Sequence, residues 1–163
     1  MSCKLIIETE NVEFFEKHNL KISNFELDIE CKNYNGCTFD LNEFKIIFRK
    51  AKITSTKIGQ FVTLWKRNSD GITEPFASLD VFDYVIIYVK SNENFGQFVF
   101  PKSILIEKKI ISSDKNEGKR GFRVYPIWET AINKQAIKTQ KWQLKYFLKT
   151  NSENVTDLNL FIK

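Results

Sequence analysis

The chain is poor in the residues that most often build metal and nucleophilic sites. Its 163 residues include one histidine, three cysteines, three prolines and six glycines. With His18 alone, zinc sites that use several imidazoles and mechanisms that need two histidines are excluded within one chain. Cys31 and Cys37 have neither the spacing of a redox pair nor that of a metal knuckle. We therefore predict no metal site, and we expect reduced cysteines that serve as small apolar core residues.

Long apolar runs are also missing. The longest, from Tyr84 to Val89, is far shorter than the roughly 20 residues that a membrane helix needs. Acidic residues at Glu8 and Glu10 follow the first apolar residues, which is unlike a secretory signal peptide. No linker rich in Pro, Gly or Ser divides the chain. The sequence therefore predicts one cytoplasmic domain over residues 1–163 without membrane contact, and it leaves the oligomeric state open.

The net charge of +5 conceals a strong segregation of charge along the chain. Residues 1–44 carry nine acids and four bases, and residues 68–98 carry five acids and one base. Residues 45–67 hold seven bases and no acid, while 99–123 and 124–149 are each net +4. If the three basic stretches converge in space, they form one surface suited to an anionic partner such as DNA or RNA.

Hydrophobic periodicity predicts an α+β fold. Residues 4–19 suit an acidic amphipathic helix, and the alternation of Phe25, Leu27 and Ile29 with acids suits a strand. Thr130 to Lys149 contains neither Gly nor Pro and is typical of a long C-terminal helix. Further strands are predicted over 38–41, 45–53, 60–66, 84–90, 97–100 and 122–125, and residues 103–112 suit a helix or a strand. We expect a central, mostly antiparallel sheet flanked by N-terminal and C-terminal helices.

Two features of the first basic stretch favour binding of phosphate. Arg49 alternates with apolar residues in a predicted strand, so its guanidinium needs either a protein carboxylate or a ligand phosphate. Residues 52–60 then combine lysines, hydroxyls and a glycine in one connection, a composition that donates hydrogen bonds to phosphate oxygens. The connection lacks the glycine spacing of a Walker loop.

Aromatic residues accompany the other basic positions. Trp65-Lys66-Arg67 suits either base stacking with a grip on the backbone, or a half-buried edge Trp beside solvated charges. Residues 116–125 form a basic turn in which Gly118 and Gly121 would let the backbone approach an anion. On the C-terminal helix, lysines recur on the side that carries Trp142 and Tyr146, which suits nucleic acid. These lysines are Lys134, Lys138, Lys141, Lys145 and Lys149.

Carboxylates near residue 80 give a second interpretation. Asp80 and Asp83 precede an apolar strand, Gln97 begins the next strand, and Lys102 follows. This order resembles the outline of PD-(D/E)XK nucleases, in which carboxylates bind Mg²⁺ and a lysine assists the attacking water. The outline is incomplete, because Gln97 is uncharged and Lys102 lies beyond the usual spacing. The resemblance would imply a degenerate restriction-endonuclease-like sheet, whereas the alternative is that both aspartates form turns and strand caps.

Five segments together resemble the MepB-like family, and they cover most of the chain from about residue 34 to 148. They are Phe48 to Thr54, Lys57 to Arg67, Gly96 to Lys102, Gly118 to Arg120 with Arg123 to Pro126, and Thr139 to Gln143. The resemblance implies a small intracellular bacterial protein that binds nucleic acid, and it does not name a reaction.

We therefore expect a protein that binds the phosphate backbone of nucleic acid through a basic surface with aromatic stacking residues, and binding without catalysis is favoured. Two alternatives remain: a Mg²⁺-dependent nuclease using Asp80, Asp83 and Lys102, and a protein-interaction module for an acidic partner. Mg²⁺ would be the cofactor only in the nuclease alternative. The predicted stacking residues are Trp65 and Trp142, and the predicted phosphate-binding residues are Arg49, Lys52, Thr54, Lys57, Gln60, Lys66, Arg67, Lys102, Lys119, Arg120 and Arg123.

Overall fold

The structure is a computed structural model that describes residues 2–7 and 12–148. Its mixed α+β fold confirms the predicted class. The helices are α1 (Cys3–Ile6), α2 (Val12–Lys17), α3 (Lys102–Glu107) and α4 (Lys134–Gln143), with 3₁₀ helices at Ile29–Tyr34 and Leu144–Tyr146. The strands are β1 (Ile22–Leu27), β2 (Cys37–Leu41), β3 (Phe44–Lys50), β4 (Lys52–Ile53), β5 (Gln60–Thr63), β6 (Trp65–Arg67), β7 (Thr73–Pro75), β8 (Tyr84–Ser91), β9 (Asn94–Pro101), β10 (Gly121–Val124) and β11 (Phe147–Leu148).

The main sheet has the strand order β1-β2-β3-β8-β9-β11. Its neighbouring strands are antiparallel except for β3 and β8, which run parallel. Parallel neighbours need a long crossover, and residues 51–83 provide it. That crossover contains β4 and β5, which join β10 in a second sheet of order β10-β5-β4, and also the β6–β7 pair.

Both faces of the main sheet are covered, and β8 lies at its centre. One face carries Tyr84, Ile86 and Tyr88, which belong to a core shared with the N-terminal helices. The other face belongs to a second core, which includes residues of β5 and β10. This double burial explains why the strand is continuously apolar in the sequence.

The predicted alternation of Phe25, Leu27 and Ile29 is wrong in detail. Asn24 has a positive φ of 52°, and the register of β1 against β2 shifts between Ser23 and Glu26. Leu27 is consequently 61% exposed, and Ile29 lies outside the strand and is 83% exposed. A single bulge is enough to break the two-residue period.

The terminal helices also differ from the prediction. The C-terminal helix α4 is limited to ten residues, because the chain turns through a 3₁₀ helix into β11, where Phe147 and Leu148 pair with β9. Ile137 of this helix is half-exposed. The predicted N-terminal helix is represented by α1 and α2, while residues 8–11 and Lys149 lie outside the described residues.

The cysteines are not all independent core residues as expected. A disulfide joins Cys3 of α1 to Cys37 of β2, and both residues are buried. Cys31 is a buried free thiol whose Sγ lies 3.4 Å from Thr63 Oγ1. In the described parts of the chain, no helix is long and apolar enough to span a membrane.

Arg49 is fully packed in the protein at the end of β3. Its side chain is 1% exposed, its Nη2 donates to Asp28 Oδ2 at 2.8 Å, and its Nη1 donates to the Phe48 carbonyl at 2.9 Å. Asp28 also accepts hydrogen bonds from the first amides of the 3₁₀ helix that follows it. The guanidinium therefore pairs with a protein carboxylate, the first of the two partners considered for it, and ties β3 to this helix.

We expect Asp28→Ala to destabilise the fold by about 3–5 kcal/mol, because it leaves the buried Arg49 guanidinium without its charged partner. Glu30→Ala is the matched control. Glu30 pairs with Arg67 in a half-exposed position, and its loss should cost less than about 1 kcal/mol. Denaturant unfolding of both variants measures the difference, and equal losses would contradict the anchoring role of Arg49.

Candidate functional site

A groove of about 600 Å³ lies between the β4–β5 connection, β10 and α4. Four cationic residues line it, and the residues that the structure describes contribute no carboxylate to the lining. These cations come from different parts of the chain: Lys57, Lys108, Lys119 and Arg123. The groove is therefore where the predicted basic connection 52–60 and the predicted basic turn 116–125 converge.

Arg123 holds the β4–β5 connection in place. Its Nη2 donates to Thr54 Oγ1 at 2.7 Å, and its Nη1 reaches the carbonyls of Ile58 and Gly59 at 3.4 Å. Gly59 has a φ of +85°, and an added Cβ there would lie 2.7 Å from the Tyr125 ring. The connection is thus fixed at its start and at its end, and Lys57 lies between these two points.

Two glutamine amides attach α4 to the end of β10. Gln143 is fully buried; its Oε1 accepts from the Tyr125 amide and its Nε2 donates to the Arg123 carbonyl, both at 2.9 Å. Gln140 Nε2 donates to the carbonyls of Pro126 at 3.0 Å and Glu129 at 2.8 Å. These roles were not predicted from the sequence. The available signal was a pair of glutamines three residues apart on the side of the helix away from the lysines.

The lysines of the groove differ in how their charge is compensated. Lys57 and Lys119 are exposed, and within residues 2–7 and 12–148 no carboxylate lies within 4.0 Å of either amine or of the Arg123 guanidinium. Lys108 does have a partner, Glu107 at 3.1 Å, and its amine lies over the Trp142 ring. The groove therefore keeps a net positive potential that a phosphate could neutralise.

Three of the predicted phosphate-binding residues are engaged by protein groups near β6 and β7. Lys66 Nζ lies 2.5 Å from Asp80 Oδ1 and 3.5 Å from Glu74 Oε1. Arg67 pairs with Glu30, donates to the Gly71 carbonyl and lies over Trp65. Arg120 donates to the Thr73 carbonyl through two nitrogens. Their cations belong to a separate, largely neutralised surface.

The remaining predicted residues are distributed between the interior and the edges. Lys52 is exposed in β4, with its amine 4.7 Å from the centre of the Tyr34 ring. Gln60 is fully buried and donates to the Lys90 carbonyl at 3.2 Å, so it links the two sheets. Thr54 is the hydrogen-bond partner of Arg123 described above. Trp65 lies outside the groove and Trp142 lines it.

Gly118 and Gly121 have a different role from the one predicted. A Cβ on Gly118 would lie 2.6 Å from the backbone of Ile111, and one on Gly121 would lie 2.5 Å from the Phe61 ring. The two glycines therefore permit close packing inside the protein. Anion binding at this turn would depend on Lys119 rather than on an approach of the glycine backbone.

The lysine side of the C-terminal helix is only partly as predicted. Lys134, Lys138, Lys141 and Lys145 are exposed. Trp142 and Tyr146 pack on Phe100, with ring centres 5.5 and 6.1 Å apart, and both are partly buried. The aromatic residues thus face the core and the groove, while the lysines face solvent.

Asp80, Asp83 and Lys102 do lie together. Lys102 Nζ donates to the Asp80 carbonyl, and its amide donates to the Asp83 carbonyl at 3.0 Å, beside a cleft of about 310 Å³. Both carboxylates already have protein donors: Lys66 and the Ala77 amide for Asp80, and the Lys45 amide for Asp83. In the described ranges no group of three or more His, Cys, Asp or Glu is placed to hold a metal ion.

The protein has a mixed α+β fold with a basic groove, and comparison with known proteins gives its family. A sequence model of the MepB-like family matches residues 28–149, so the chain belongs to that family and the predicted resemblance is confirmed. The crystal structure of MepB is similar, with 35% identity and a TM-score of 0.80 over 89% of this chain and 99% of that chain.

A more distant likeness concerns the fold alone. The structure of I-Ssp6803I, a bacterial homing endonuclease, has 17% identity and a TM-score of 0.50, over 90% of this chain and 94% of that chain. A search of curated proteins found no match.

The Lys66–Asp80 contact predicts a pH dependence of stability. The hydrogen bond to Asp80 raises the pKa of Lys66 above its ordinary value of 10.5. A raised lysine pKa means that the pair stabilises the fold fully below about pH 10.5 and loses this effect as the pH rises through the folded-state pKa. Lys66→Met should therefore lower the Tm at pH 8, with a difference from the parent that shrinks above pH 10.5. Lys119→Met is the control, since among residues 2–7 and 12–148 no carboxylate lies within 4.0 Å of the Lys119 amine, and this variant should show no such trend.

Proposed function

We propose that the protein binds the phosphate backbone of nucleic acid in the groove between the β4–β5 connection, β10 and α4. The observation that carries this proposal is the convergence of four cations in a groove to which residues 2–7 and 12–148 contribute no carboxylate. Elsewhere the acidic segments of the chain supply partners to the basic ones, as they do for Lys66 and Arg67. The chain contains 20 acidic residues, yet this groove is cationic. It is therefore suited to an anionic ligand.

Lys57 and Lys119 are the residues that would contact phosphate directly. Both are exposed and line the groove from different segments, so a bound phosphate could lie between them. Arg123 would act as a positioning residue, because its guanidinium is already used to hold Thr54 and the backbone of the connection. Thr56, which also lines the groove, adds a hydroxyl that can donate to a phosphate oxygen.

The groove also carries the aromatic surface expected of a nucleic-acid site. Trp142 and Tyr125 line it beside the cations, and bases stack on such rings irrespective of sequence. One structural relative is a homing endonuclease, which is compatible with a nucleic-acid partner. The likeness to that relative concerns only the fold.

The nuclease alternative has less support in the geometry. The carboxylates of Asp80 and Asp83 accept hydrogen bonds from protein donors, including the charged amine of Lys66. A cation that already neutralises Asp80 competes with a divalent metal ion for the same oxygens. The carboxylates of Asp80 and Asp83 beside Lys102 are therefore poorly suited as ligands for Mg²⁺, and they support no cleavage step.

Binding should fall steeply as salt rises, because neutralised phosphates release counterions. For a labelled DNA duplex and a single strand, we expect the logarithm of affinity to fall linearly with the logarithm of salt concentration between about 50 and 200 mM. Lys57→Ala/Lys119→Ala should weaken binding and reduce that slope by about 2, roughly one for each lysine that no longer neutralises a phosphate. Fluorescence anisotropy titrations at several salt concentrations measure both quantities.

Lys134→Ala/Lys138→Ala is the matched control, since it removes the same charge from exposed positions of α4 that do not line the groove. It should leave the slope nearly unchanged. If both double variants reduce the slope equally, the groove is not the binding site. If neither oligonucleotide binds while heparin does, the protein recognises an acidic partner other than nucleic acid, and the proposal fails.

A further inference from the structure

The size of the groove restricts what part of a nucleic acid can enter it. Pockets that hold one small ligand typically measure about 300–1,000 Å³, and this groove, at about 600 Å³, falls within that range. A duplex presents phosphates along a wide cylinder whose major groove alone is about 12 Å across. The space accommodates a single nucleotide, and an intact duplex could only touch its rim.

The groove offers cationic side chains from one set of segments and aromatic and polar side chains from another, which suits the phosphate and the base of a nucleotide. Lys57 and Lys119 come from the segments leading into β5 and β10, on the side of the second sheet. Trp142 and Thr139 come from α4, a separate element of the lining. A phosphate held by the lysines would place its attached sugar and base toward the helix. The base would then meet the Trp142 ring, beside which the Lys108 amine also lies.

Trp142 is held in a fixed position before any ligand binds. Its ring lies 5.5 Å from the Phe100 ring, and the Lys108 amine lies 5.7 Å from its centre. The next residue, Gln143, is locked to β10 by two hydrogen bonds. A ring held this firmly loses little conformational freedom on binding, which favours stacking of an unpaired base.

Polar side chains on α4 are available to the edge of such a base. Gln135 and Thr139 both line the groove, and in the part of the chain that the structure describes neither side chain has a hydrogen bond. An amide and a hydroxyl offer donors and acceptors to the edges of a base that a duplex would keep paired.

We propose that the groove binds one unpaired nucleotide of a nucleic acid, with its phosphate at Lys57 and Lys119 and its base against Trp142. This inference rests on the proposed nucleic-acid binding and narrows it to single strands, overhangs and other unpaired positions. Contacts with a continuous duplex are then limited to the cationic rim of the groove.

The test compares a duplex carrying a short single-stranded overhang with the same duplex made blunt, using the full chain. The overhang should bind more tightly. Trp142→Leu should reduce the affinity for the overhang by about 5- to 150-fold, the effect of losing one base–aromatic stack, and leave the blunt duplex unchanged. Trp65→Leu, which alters a tryptophan outside the groove, should change neither affinity.

A second measurement does not depend on the folding of the leucine variant. The double variant Trp65→Phe/Trp128→Phe leaves Trp142 as the single tryptophan. Its fluorescence should be quenched by the overhang and by a single strand, but not by the blunt duplex. Salt-dependent binding with equal affinity for blunt and overhanging duplexes would overturn this inference while leaving the proposed function intact. Lack of binding to every oligonucleotide would overturn both.

Discussion

The parallel pairing of β3 with β8 is the constraint on which the rest of the structure depends. Two parallel neighbours cannot be joined by a tight turn, so the chain must leave the main sheet after Lys50 and return at Tyr84. In many proteins such a crossover is a helix. Here residues 51–83 supply the short strands β4 to β7, joined by turns, and β5 then pairs with β10 from a later part of the chain. The second sheet packs its apolar side on the main sheet. One end of that second sheet carries the β4–β5 connection, and this is why the cationic groove lies beside the crossover.

Acidic and basic stretches that are separate in the sequence form ion pairs in the fold. Among the described residues, the exposed lysines of the groove, Lys57 and Lys119, take no part in such pairs. Glu30, Glu74 and Asp80 come from the two acidic stretches and contact cations of the first basic stretch. Asp28 does the same for the buried Arg49. The Glu30–Arg67 and Asp28–Arg49 pairs join elements that are distant in the sequence, whereas Lys66 and Glu74 face each other across the neighbouring strands β6 and β7. Among residues 2–7 and 12–148, no carboxylate lies within 4.0 Å of the amines of Lys57 and Lys119, although Glu117 in the turn of Lys119 pairs with Arg120. The course of the chain, more than its composition, therefore explains why the described carboxylates do not neutralise these two lysines.

Some of this arrangement could be predicted from the sequence, and the limits have physical causes. The apolar run of β8 and the short aromatic strands follow directly from side-chain period and β-propensity, and both basic segments of the groove were identified as phosphate candidates from their composition. The bulge at Asn24 could not be foreseen, because one residue in a left-handed conformation shifts the register without changing the pattern of residue types. Nor could the neutralisation of Lys66 and Arg67, since a salt bridge between distant segments is a property of the folded chain. Composition identified the cations, and only the fold separates those with carboxylate partners from those without.

The end of α4 at Gln143 affects both the main sheet and the groove. A helix continuing through residue 149 would have carried Phe147 and Leu148 away from β9; instead the chain turns and both residues complete the main sheet. Gln143 is the residue at which this change occurs, and its buried amide replaces the hydrogen bonds that a neighbouring strand would have given to the outer edge of β10. A lysine or arginine at this point could not both donate to the Arg123 carbonyl and accept from the Tyr125 amide, because cationic side chains have no acceptor. The neutral amide thus fixes α4 beside the groove without adding a charge. The exposed cations, Lys57 and Lys119, lie where an anion from solvent can reach them.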